Sequence, residues 1–350
     1  MVKIDPKAPV LVTGGSGYVA SWLVRYLLED GRTVRATVRD PQKKKGLEHL
    51  HALAEAHPGR LTLLRAELLE PGCYSEAMAG CELVMHTASP FLLGNLKNPQ
   101  KQLVDPALEG TRNVLASVED TPSVKRVVLT SSVVAICGDN IDMRGKEMFT
   151  EDDWNTTSSL DHQPYPYSKT VAEKEAWRIA GAQDRWDLVT IHPGLVVGPS
   201  LTTASKSGTF RTMGSFTDFS LATGAPALEM GVVDVRDVAR AHIAAGYTPE
   251  AHGRYITNAE TMSMLDISRA LRAKFGYRPS FPLIEAPKPL IKLAAPVAGL
   301  TRKFVQRNVG YPLRFDSSRT VAELGITFRP GAESVTEQFQ QMIDDGIVRG

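Results

Sequence analysis

Apolar positions in the first half of the chain alternate between two periods. Short apolar runs rich in β-branched residues, such as PVLVTG at 9–14 and TVRATVR at 33–39, predict buried strands. The segments between such runs carry apolar residues at helical spacing, as YVASWLVRYLLEDG does at 18–31. Because strands that alternate with helices are typical of crossover units, the pattern predicts an α/β fold built on a parallel sheet.

This alternation weakens after Pro199. The segment 200–219 is small and polar, which predicts a loop-rich insertion or lid, and the rest of the chain mixes helices, short strands and many prolines. We therefore predict two units. The first covers residues 1–198, with a return segment near 231–258, and the second is a smaller lobe made of residues 199–230 plus 259–350.

The glycine-rich stretch TGGSGYVAS at 13–21 follows the first predicted strand and opens the first predicted helix, the setting of a dinucleotide-binding loop. Two adjacent glycines allow a tight turn, and the third lets backbone amides approach a pyrophosphate. The amides at the helix N-terminus add the positive end of the helix dipole. The residues predicted to bind the cofactor here are Thr13, Gly14, Gly15, Ser16, Gly17, Tyr18 and Val19.

The end of the second predicted strand distinguishes the two nicotinamide dinucleotides. NAD-binding folds usually carry an acidic residue there, whereas this chain has Arg39, followed by Lys43, Lys44 and Lys45. A guanidinium can bind a 2′-phosphate through two hydrogen bonds, while a solvated helix start explains each lysine equally well. Asp40 lies one residue past the strand and can turn to solvent. Arg39 therefore predicts NADPH/NADP⁺ as the cofactor.

The segment QPYPYSKTVAEKEAW at 163–177 carries the predicted chemistry. Tyr165 and Lys169 are four residues apart at a helix start, so their side chains share one face. A nearby ammonium is expected to lower the pKa of the phenol from about 10, which favours acid–base catalysis. Ser132 stands at the end of the predicted strand in VVLTSSVV, which ends at Thr130 to Ser132, at the sheet edge where ligands bind. The predicted catalytic residues are Ser132, Tyr165 and Lys169, while Tyr167 faces elsewhere.

These motifs together resemble the extended short-chain dehydrogenase/reductase superfamily, and more narrowly its dihydroflavonol reductase-like branch with microbial aldehyde and ketone reductases. The resemblance is specific from about Val10 to Pro199 and looser towards the C-terminus. It implies a Rossmann-type doubly wound parallel sheet that binds NADP, with a smaller, mostly α-helical substrate lobe. It also implies that Tyr165 donates a proton while NADPH delivers a hydride, that Ser132 binds the carbonyl oxygen, and that Lys169 binds the nicotinamide ribose.

The resemblance implies further cofactor contacts, position by position. Lys45 matches a second phosphate ligand, and Glu67 stands where the family usually has Asp beside the adenine. Asn113 could orient the Lys169 region through water, although a helix-packing role explains it better. The remaining implied cofactor-binding residues are Leu68 beside adenine, Thr87, Ala88 and Ser89 under the ribose and phosphate, and Pro193, Gly194, Leu195 and Val196 at the carboxamide.

Two departures from the family pattern bear on the substrate. Cys137 stands where the flavonoid reductases have an asparagine, and the NWYCY signature of cinnamoyl-CoA reductases is missing from the tyrosine–lysine segment. The chain is therefore predicted to reduce a hydrophobic aldehyde or ketone. An apolar lining would suit this substrate, although core packing explains the same residues equally well: Thr209, Phe210, Met213 and Phe216.

Other reactions of the superfamily stay open. Sugar-nucleotide epimerases and dehydratases need phosphate-binding arginines, for which Arg302, Arg307 and Arg314 are available, and a hydroxysteroid dehydrogenase/isomerase uses the same machinery. A non-enzymatic NADP-binding sensor is a third alternative, although such sensors commonly lack the tyrosine–lysine pair that this chain keeps.

Composition adds several expected absences. The formal net charge is +1, so no overall field attracts nucleic acid or an anionic membrane. The three cysteines lack metal-ligand spacing, and the N-terminal residues lack an apolar signal segment. We therefore expect a cytoplasmic protein with no metal, a small-molecule carbonyl substrate as its partner, and a monomeric or homodimeric state.

Overall fold

The computed structural model describes residues 1–89, 97–202, 208–218, 220–221, 224–296 and 299–348, without the side chains of 208, 209 and 211. Thr209, one residue of the predicted apolar lining, therefore lies outside the described side chains. The described strands are β1 (Val10–Thr13), β2 (Val34–Val38), β3 (Leu61–Arg65), β4 (Leu83–His86), β5 (Arg126–Thr130), β6 (Asp187–Pro193), β7 (Leu195–Val197), β8 (Glu229–Asp234), β9 (Gly253–Thr257) and β10 (Glu260–Ser263).

The described α-helices are α1 (Tyr18–Glu29), α2 (Glu48–Ala56), α3 (Ser75–Met78), α4 (Asp105–Glu119), α5 (Pro164–Ala180), α6 (Gly208–Gly214), α7 (Val235–Tyr247), α8 (Met264–Phe275), α9 (Lys288–Ala294), α10 (Arg302–Asn308), α11 (Ser318–Leu324) and α12 (Gly331–Asp344). Across the described ranges, no helix combines the length and the apolar character that a membrane crossing requires. The cytoplasmic location and the oligomeric state stay predictions.

Seven strands form the main sheet in the order β3-β2-β1-β4-β5-β6-β9, and every pairing in it is parallel. The strand order reverses between β1 and β4, so a crevice opens there at the carboxyl ends of the strands. This arrangement confirms the predicted doubly wound α/β fold.

The two faces of the main sheet follow from the alternation of side chains along each strand. Val10 and Val12 of β1 pack in the layer that contains α1 and α7, whereas Leu11 packs in the opposite layer with α4 and α5. All three residues are 1% exposed or less, so both faces of the sheet are covered. Such burial explains why the strands read as continuous apolar runs in the sequence.

The chain leaves the main sheet at Gly194, the single residue between β6 and β7. A Cβ at Gly194 would lie 2.6 Å from the carbonyl oxygen of Gly231. The strands β10, β8 and β7 form a second, three-stranded sheet, in which β8 is antiparallel to β10 and parallel to β7. Within the predicted return segment, α7 and β9 belong to the main body of the fold. The domain boundaries stay a prediction.

A separate apolar core lies in the lobe, where α8 and α12 pack together with Phe281. Met213 and Phe216 are fully buried in this core, and Phe210 is partly buried against it. From the sequence alone, these residues fitted a pocket lining and core packing equally well. The structure assigns Met213 and Phe216 to the core, because neither lines the large cleft described below.

Candidate active site

A cleft of about 1300 Å³ follows the carboxyl ends of the main-sheet strands. Along the order of the strands it is lined by Arg39 after β2, Ser16 after β1, Thr87 after β4, Ser132 after β5 and Gly194 after β6. Pockets for a single small ligand usually measure about 300–1000 Å³, so this cleft has room for a cofactor together with a substrate.

The glycine-rich loop has little space for side chains. Gly14 has φ +68°, a left-handed conformation that favours glycine, and a Cβ there would lie 3.1 Å from Ala88. A Cβ at Gly15 would lie 2.8 Å from the Cβ of Ala36 on β2. Gly14 therefore makes the turn that was predicted for both glycines, while Gly15 permits the close approach of the loop to β2. Ser16, Gly17, Tyr18 and Val19 line the cleft as predicted.

Thr13 holds this loop to the end of β4. Its hydroxyl oxygen accepts hydrogen bonds from the amides of Thr87 and Ala88, each at 3.1 Å, and lies 2.8 Å from Nδ1 of His86. Because the hydroxyl already accepts twice, its own proton points to His86, whose Nδ1 accepts it. Burial, with a smaller effect of Lys169, lowers the pKa of His86 to about 3. Thr13 is fully buried and thus acts within the protein.

The end of the cleft beside β2 is positively charged and open to solvent. Arg39, Lys43 and Lys45 are exposed and line the cleft, whereas Lys44 does not line it. Asp40 accepts a hydrogen bond from the amide of Gln42 at 3.0 Å, which is a local turn contact. A guanidinium and two lysines, Lys43 and Lys45, therefore line this end of the cleft.

Two predicted cofactor contacts lie elsewhere in the described structure. Glu67 is exposed and does not line the cleft. Leu68 packs on Gly110 of α4, where a Cβ would lie 2.6 Å from its Cγ. Most of the residues predicted to bind the cofactor after β4 and β6 line the cleft, namely Thr87, Ser89, Gly194, Leu195 and Val196. Ala88 and Pro193 do not line it.

Tyr18 makes a contact that the sequence did not predict. Its hydroxyl donates a hydrogen bond to the carbonyl oxygen of Gly198 at 2.5 Å, and its ring meets that of Phe210 edge to face. One turn later, Nε1 of Trp22 donates to the carbonyl oxygen of Pro199 at 2.8 Å. The first turn of α1 therefore anchors the segment that leaves β7.

Two of the three predicted catalytic residues line the cleft, whereas Lys169 does not and instead lines a second, smaller cavity. Ser132 is the second residue after β5, and Tyr165 lies in the first turn of α5. Both residues line the cleft. The Ser132 hydroxyl makes two long contacts of 3.4 Å, donating to the carbonyl oxygen of Pro193 and accepting from the amide of Val134. At that length the contacts are weak, so the hydroxyl can bind another group.

Lys169 lies one turn beyond Tyr165, and its ammonium donates to the hydroxyl oxygen of Ser89 at 3.1 Å. Burial lowers the pKa of Lys169 to about 8, although the carboxylate of Glu173 opposes this change. Burial also raises the pKa of Tyr165 to about 12. The direction at Tyr165 is opposite to the expected one, because burial disfavours the charged phenolate. Tyr165 thus keeps its proton at neutral pH.

The far end of the cleft is mostly apolar, with Glu229 as an acidic residue, and bears no positive side chain among the described lining residues. Its apolar residues are Leu228, Met230, Phe304, Leu313 and Phe315, and Cys137, which is 7% exposed, also lines the cleft. Sequence reasoning missed all five of these lobe residues, because they come from separate segments that only the fold brings together.

Asp139 forms a buried hub beneath this end. It accepts hydrogen bonds from Gln163 at 2.7 Å, from Asn308 at 2.7 Å and from His162 at 2.9 Å. Arg307 is paired with Asp139 and also donates to Asp142 at 3.1 Å. Since Gln163 directly precedes α5, the hub connects the lobe helix α10 to the start of the helix that carries Tyr165.

Asn113 is a packing residue. Its amide donates to the carbonyl oxygens of Leu68 at 3.0 Å and Glu70 at 2.8 Å, and it accepts from the amide of Gly72 at 3.2 Å. The side chain therefore ties α4 to the loop after β3. Within the described ranges, no group of three or more histidine, cysteine or acidic residues is arranged to hold a metal ion.

Comparison with known proteins agrees with this geometry. Residues 10–257 match the NAD dependent epimerase/dehydratase family. The chain is 42% identical to cinnamoyl-CoA reductase CAD2 of Medicago truncatula over 269 residues, covering 75% of this chain and 79% of that protein. It is 36% identical to tetraketide alpha-pyrone reductase 1 of Arabidopsis thaliana over 348 residues, covering 98% and 97%. Gre2 from Candida albicans in complex with NADPH has the same fold, with a TM-score of 0.77 at 25% identity over 97% of this chain and 99% of that chain.

The chain belongs to the NAD dependent epimerase/dehydratase family, that is, to the extended short-chain dehydrogenases/reductases. Within that family its relatives are reductases of the dihydroflavonol reductase-like branch. The predicted family, the predicted oxidoreductase class and the predicted nicotinamide dinucleotide cofactor are thereby confirmed.

Proposed function

We propose that the protein is an NADPH-dependent carbonyl reductase, which converts a hydrophobic aldehyde or ketone to the alcohol. The observation that carries the proposal is one cleft shared by the glycine-rich loop, the cationic end at Arg39 and the pair Ser132 and Tyr165. A cofactor-binding loop alone would fit a sensor as well, whereas a weakly engaged serine beside a protonated tyrosine fits a reaction.

The residues present fit NADPH. The loop at Gly14 and Gly15 is too tight for a Cβ and opens α1, whose free amides suit a pyrophosphate. Arg39, with Lys43 or Lys45, offers a cation for the 2′-phosphate that distinguishes NADPH from NADH. NADPH, when bound, supplies the hydride.

The protein's own groups complete the reaction. Ser132 donates a hydrogen bond to the carbonyl oxygen and polarises it. Tyr165 donates its proton to the same oxygen as negative charge develops there, and its high pKa ensures that the proton is present. Lys169 holds the ribose hydroxyls of the cofactor and places a positive charge near the phenolate that remains. In the reverse direction Tyr165 would accept the proton of the alcohol, whose hydride would pass to bound NADP⁺.

The substrate is proposed to be neutral and hydrophobic. Among the described lining residues, positive charge is confined to Arg39, Lys43 and Lys45 at the opposite end, while Glu229 lies at the lobe end. A CoA thioester or a sugar nucleotide carries phosphates, for which that end offers no described cation. Arg307 is engaged with Asp139 and Asp142, and neither Arg302 nor Arg314 lines the cleft.

A substrate panel tests the proposal. Aromatic and aliphatic aldehydes, ketones, diketones, a steroid ketone, cinnamoyl-CoA and a sugar nucleotide would each be incubated with NADPH or NADH, and absorbance at the nicotinamide band followed. We expect turnover of hydrophobic carbonyls with NADPH and little with NADH. Turnover confined to cinnamoyl-CoA, the sugar nucleotide or the steroid would overturn the substrate class, and NADPH binding without turnover of any compound would favour the sensor.

A further inference from the structure

A second cavity of about 20 Å³, room for roughly one water molecule, lies behind the predicted catalytic residues. Its walls include Lys169 and Glu173 of α5, Ser131 after β5 and His86 of β4. Glu173 is the acidic residue among the described walls of this cavity, and it faces Lys169 from one helical turn away. Neither Glu173 nor Ser131 lines the large cleft.

Glu173 is a buried carboxylate with four partners. It is 1% exposed. One oxygen accepts from the Ser131 hydroxyl at 2.5 Å, and the other accepts from Arg254 at 2.8 Å and from Trp177 at 3.1 Å. Nε2 of His192 lies 3.3 Å from that second oxygen and 2.9 Å from the hydroxyl oxygen of Thr190. Burial alone would raise the pKa of Glu173, but His192, Arg254 and Ser131 outweigh burial and lower it to about 2.

Two of these partners hold the peptide of Ser132. Ser131 precedes Ser132 in the chain, and its amide donates to the carbonyl oxygen of Ile191 at 2.8 Å. On the other side, Nδ1 of His192 lies 3.1 Å from the carbonyl oxygen of Ser132, and it must donate because a carbonyl oxygen only accepts. The position of the Ser132 side chain therefore depends on two residues that both contact Glu173.

The titratable groups around Lys169 come from four elements. His86 of β4 is neutral because burial lowers its pKa to about 3, and Tyr165 of α5 keeps its proton. His192 of β6 and Arg254 of β9 lie on the far side of the carboxylate, which they contact directly. Glu173 is thus the negative charge that faces the Lys169 ammonium within the described structure, and it opposes the effect of burial there.

We propose that Glu173 is a positioning residue for carbonyl reduction, which fixes Ser132 through Ser131 and His192 and presents a negative charge to the ammonium of Lys169. The proposal rests on the proposed function, because it takes Ser132 and Lys169 as the groups that act on substrate and cofactor. Glu173 itself does not touch the cleft, so its role is exerted through its neighbours.

The variant Glu173→Gln tests the charge while keeping the shape. Ionisation of Lys169 would be followed without substrate, from the pH dependence of its acetylation by acetic anhydride measured by mass spectrometry. Loss of the carboxylate disfavours the ammonium, so we expect the midpoint for Lys169 to fall by about one pH unit. The alkaline limb of kcat is expected to move down with it, and kcat near neutral pH to fall by about tenfold.

Asp237→Asn is the matched control. Asp237 is also a buried carboxylate, 2% exposed and paired with Arg329, but it lies at the start of α7 and lines neither cavity. We expect it to lower the melting temperature without moving the Lys169 midpoint. An unchanged midpoint in Glu173→Gln, or an equal shift in both variants, would overturn the electrostatic part of the proposal.

Ser131→Ala tests the connection to Ser132 and serves if Glu173→Gln does not fold. It removes one hydrogen bond to Glu173 and leaves the charge, so kcat should fall several-fold while the Lys169 midpoint stays at the wild-type value. Wild-type kcat in Ser131→Ala would contradict the positioning of Ser132. Failure of the wild-type protein to reduce any carbonyl would instead count against the proposed function, whereas the acetylation midpoints would still report on Glu173 and Lys169.

Discussion

The polar side chains at the two ends of the candidate active site differ in their exposure to solvent. At the cofactor end, Arg39, Lys43 and Lys45 are exposed around the cleft. Behind Ser132 and Lys169, Glu173 and His192 are 1% exposed or less and are held by several partners. The first set surrounds the end where we propose that the cofactor phosphate binds, and the second lies behind the proposed catalytic groups.

Solvent exposure decides what each set can do. Exposed cations attract a phosphate over a distance, yet water and salt weaken every interaction they make. Buried charges cost free energy to desolvate, but once paired they fix neighbouring side chains in one geometry. We therefore expect substitutions at the exposed end to change cofactor choice and substitutions at the buried end to change kcat or folding.

The largest effect is expected from Tyr165→Phe, which removes the proposed proton donor and keeps the ring. General acid catalysis contributes typically about 10²–10⁴-fold, so kcat should fall by that factor while NADPH affinity changes little. Steady-state kinetics and cofactor titration by fluorescence measure the two quantities. Tyr167→Phe is the matched control on the same helix, since Tyr167 does not line the cleft. Activity lost in Tyr167→Phe but kept in Tyr165→Phe would show that the wrong tyrosine has been assigned.

Arg39→Asp is expected to act on cofactor choice. Hydrogen bonds to a charged group contribute about 1.5–3 kcal/mol, so the KM for NADPH should rise by about 10- to 100-fold, with a much smaller change for NADH. Lys44→Asp makes the same change in charge at an exposed residue that does not line the cleft, and should alter neither KM by more than about twofold. Equal losses for both cofactors in Arg39→Asp would contradict the assignment.

The comparison also separates what the sequence could predict from what it could not. The strands and the glycine loop follow from local patterns, because a parallel strand needs a continuous apolar run and the turn at Gly14 needs a positive φ. Arg39 and Tyr165 were predicted from their distance from such elements, and both line the cleft. Glu67 was predicted by position in the same way but does not line the cleft, and whether it contacts the cofactor stays a prediction.

The buried network and the lobe end could not be predicted, because their members are far apart in sequence. Ser131, Glu173, His192 and Arg254 come from four elements, and only the sheet order brings them together. One feature of the sequence did point to Glu173, because it stands one helical turn after Lys169 in the segment 163–177. The pKa of Tyr165 was expected to fall, but burial raises it. The sequence could not show this, because the spacing from Lys169 does not reveal how deeply the start of the helix is buried.

Acid should destabilise the folded protein through two buried histidines that are neutral at neutral pH. Burial lowers the pKa of His242 to about 4, although its contact with the carbonyl oxygen of Val238 opposes this, and it lowers that of His86 to about 3. Since these pKa values lie below the ordinary value of about 6.5, the unfolded chain takes up protons first as the pH falls, and stability is lost below about pH 6.5. Each histidine should cost about 2 kcal/mol of unfolding free energy between pH 7 and pH 5.

Urea unfolding at pH 7 and pH 5 measures this loss, and His242→Gln isolates one histidine. Its imidazole lies 2.7 Å from the Thr130 hydroxyl and 2.8 Å from the Val238 carbonyl oxygen, contacts that a glutamine amide can partly replace. The variant should lose about 2 kcal/mol less than the wild type over this pH range. His252→Gln, at an exposed histidine, should lose as much as the wild type. An undiminished loss in His242→Gln would assign the acid sensitivity to other groups.

The smallest effect is expected from salt, which should weaken interactions at the exposed end and leave those at the buried end almost unchanged. The Debye length falls from about 10 Å at 0.1 M to about 3 Å at 1 M, so exposed cations lose most of their attraction while buried pairs keep theirs. Raising sodium chloride from about 0.05 M to 0.5 M should increase the KM for NADPH several-fold and change kcat by less than about twofold. The KM for NADH, which lacks the 2′-phosphate, should respond less. If kcat fell with salt as steeply as the KM rose, the groups behind Ser132 would be accessible to ions, and the distinction between the two ends would fail.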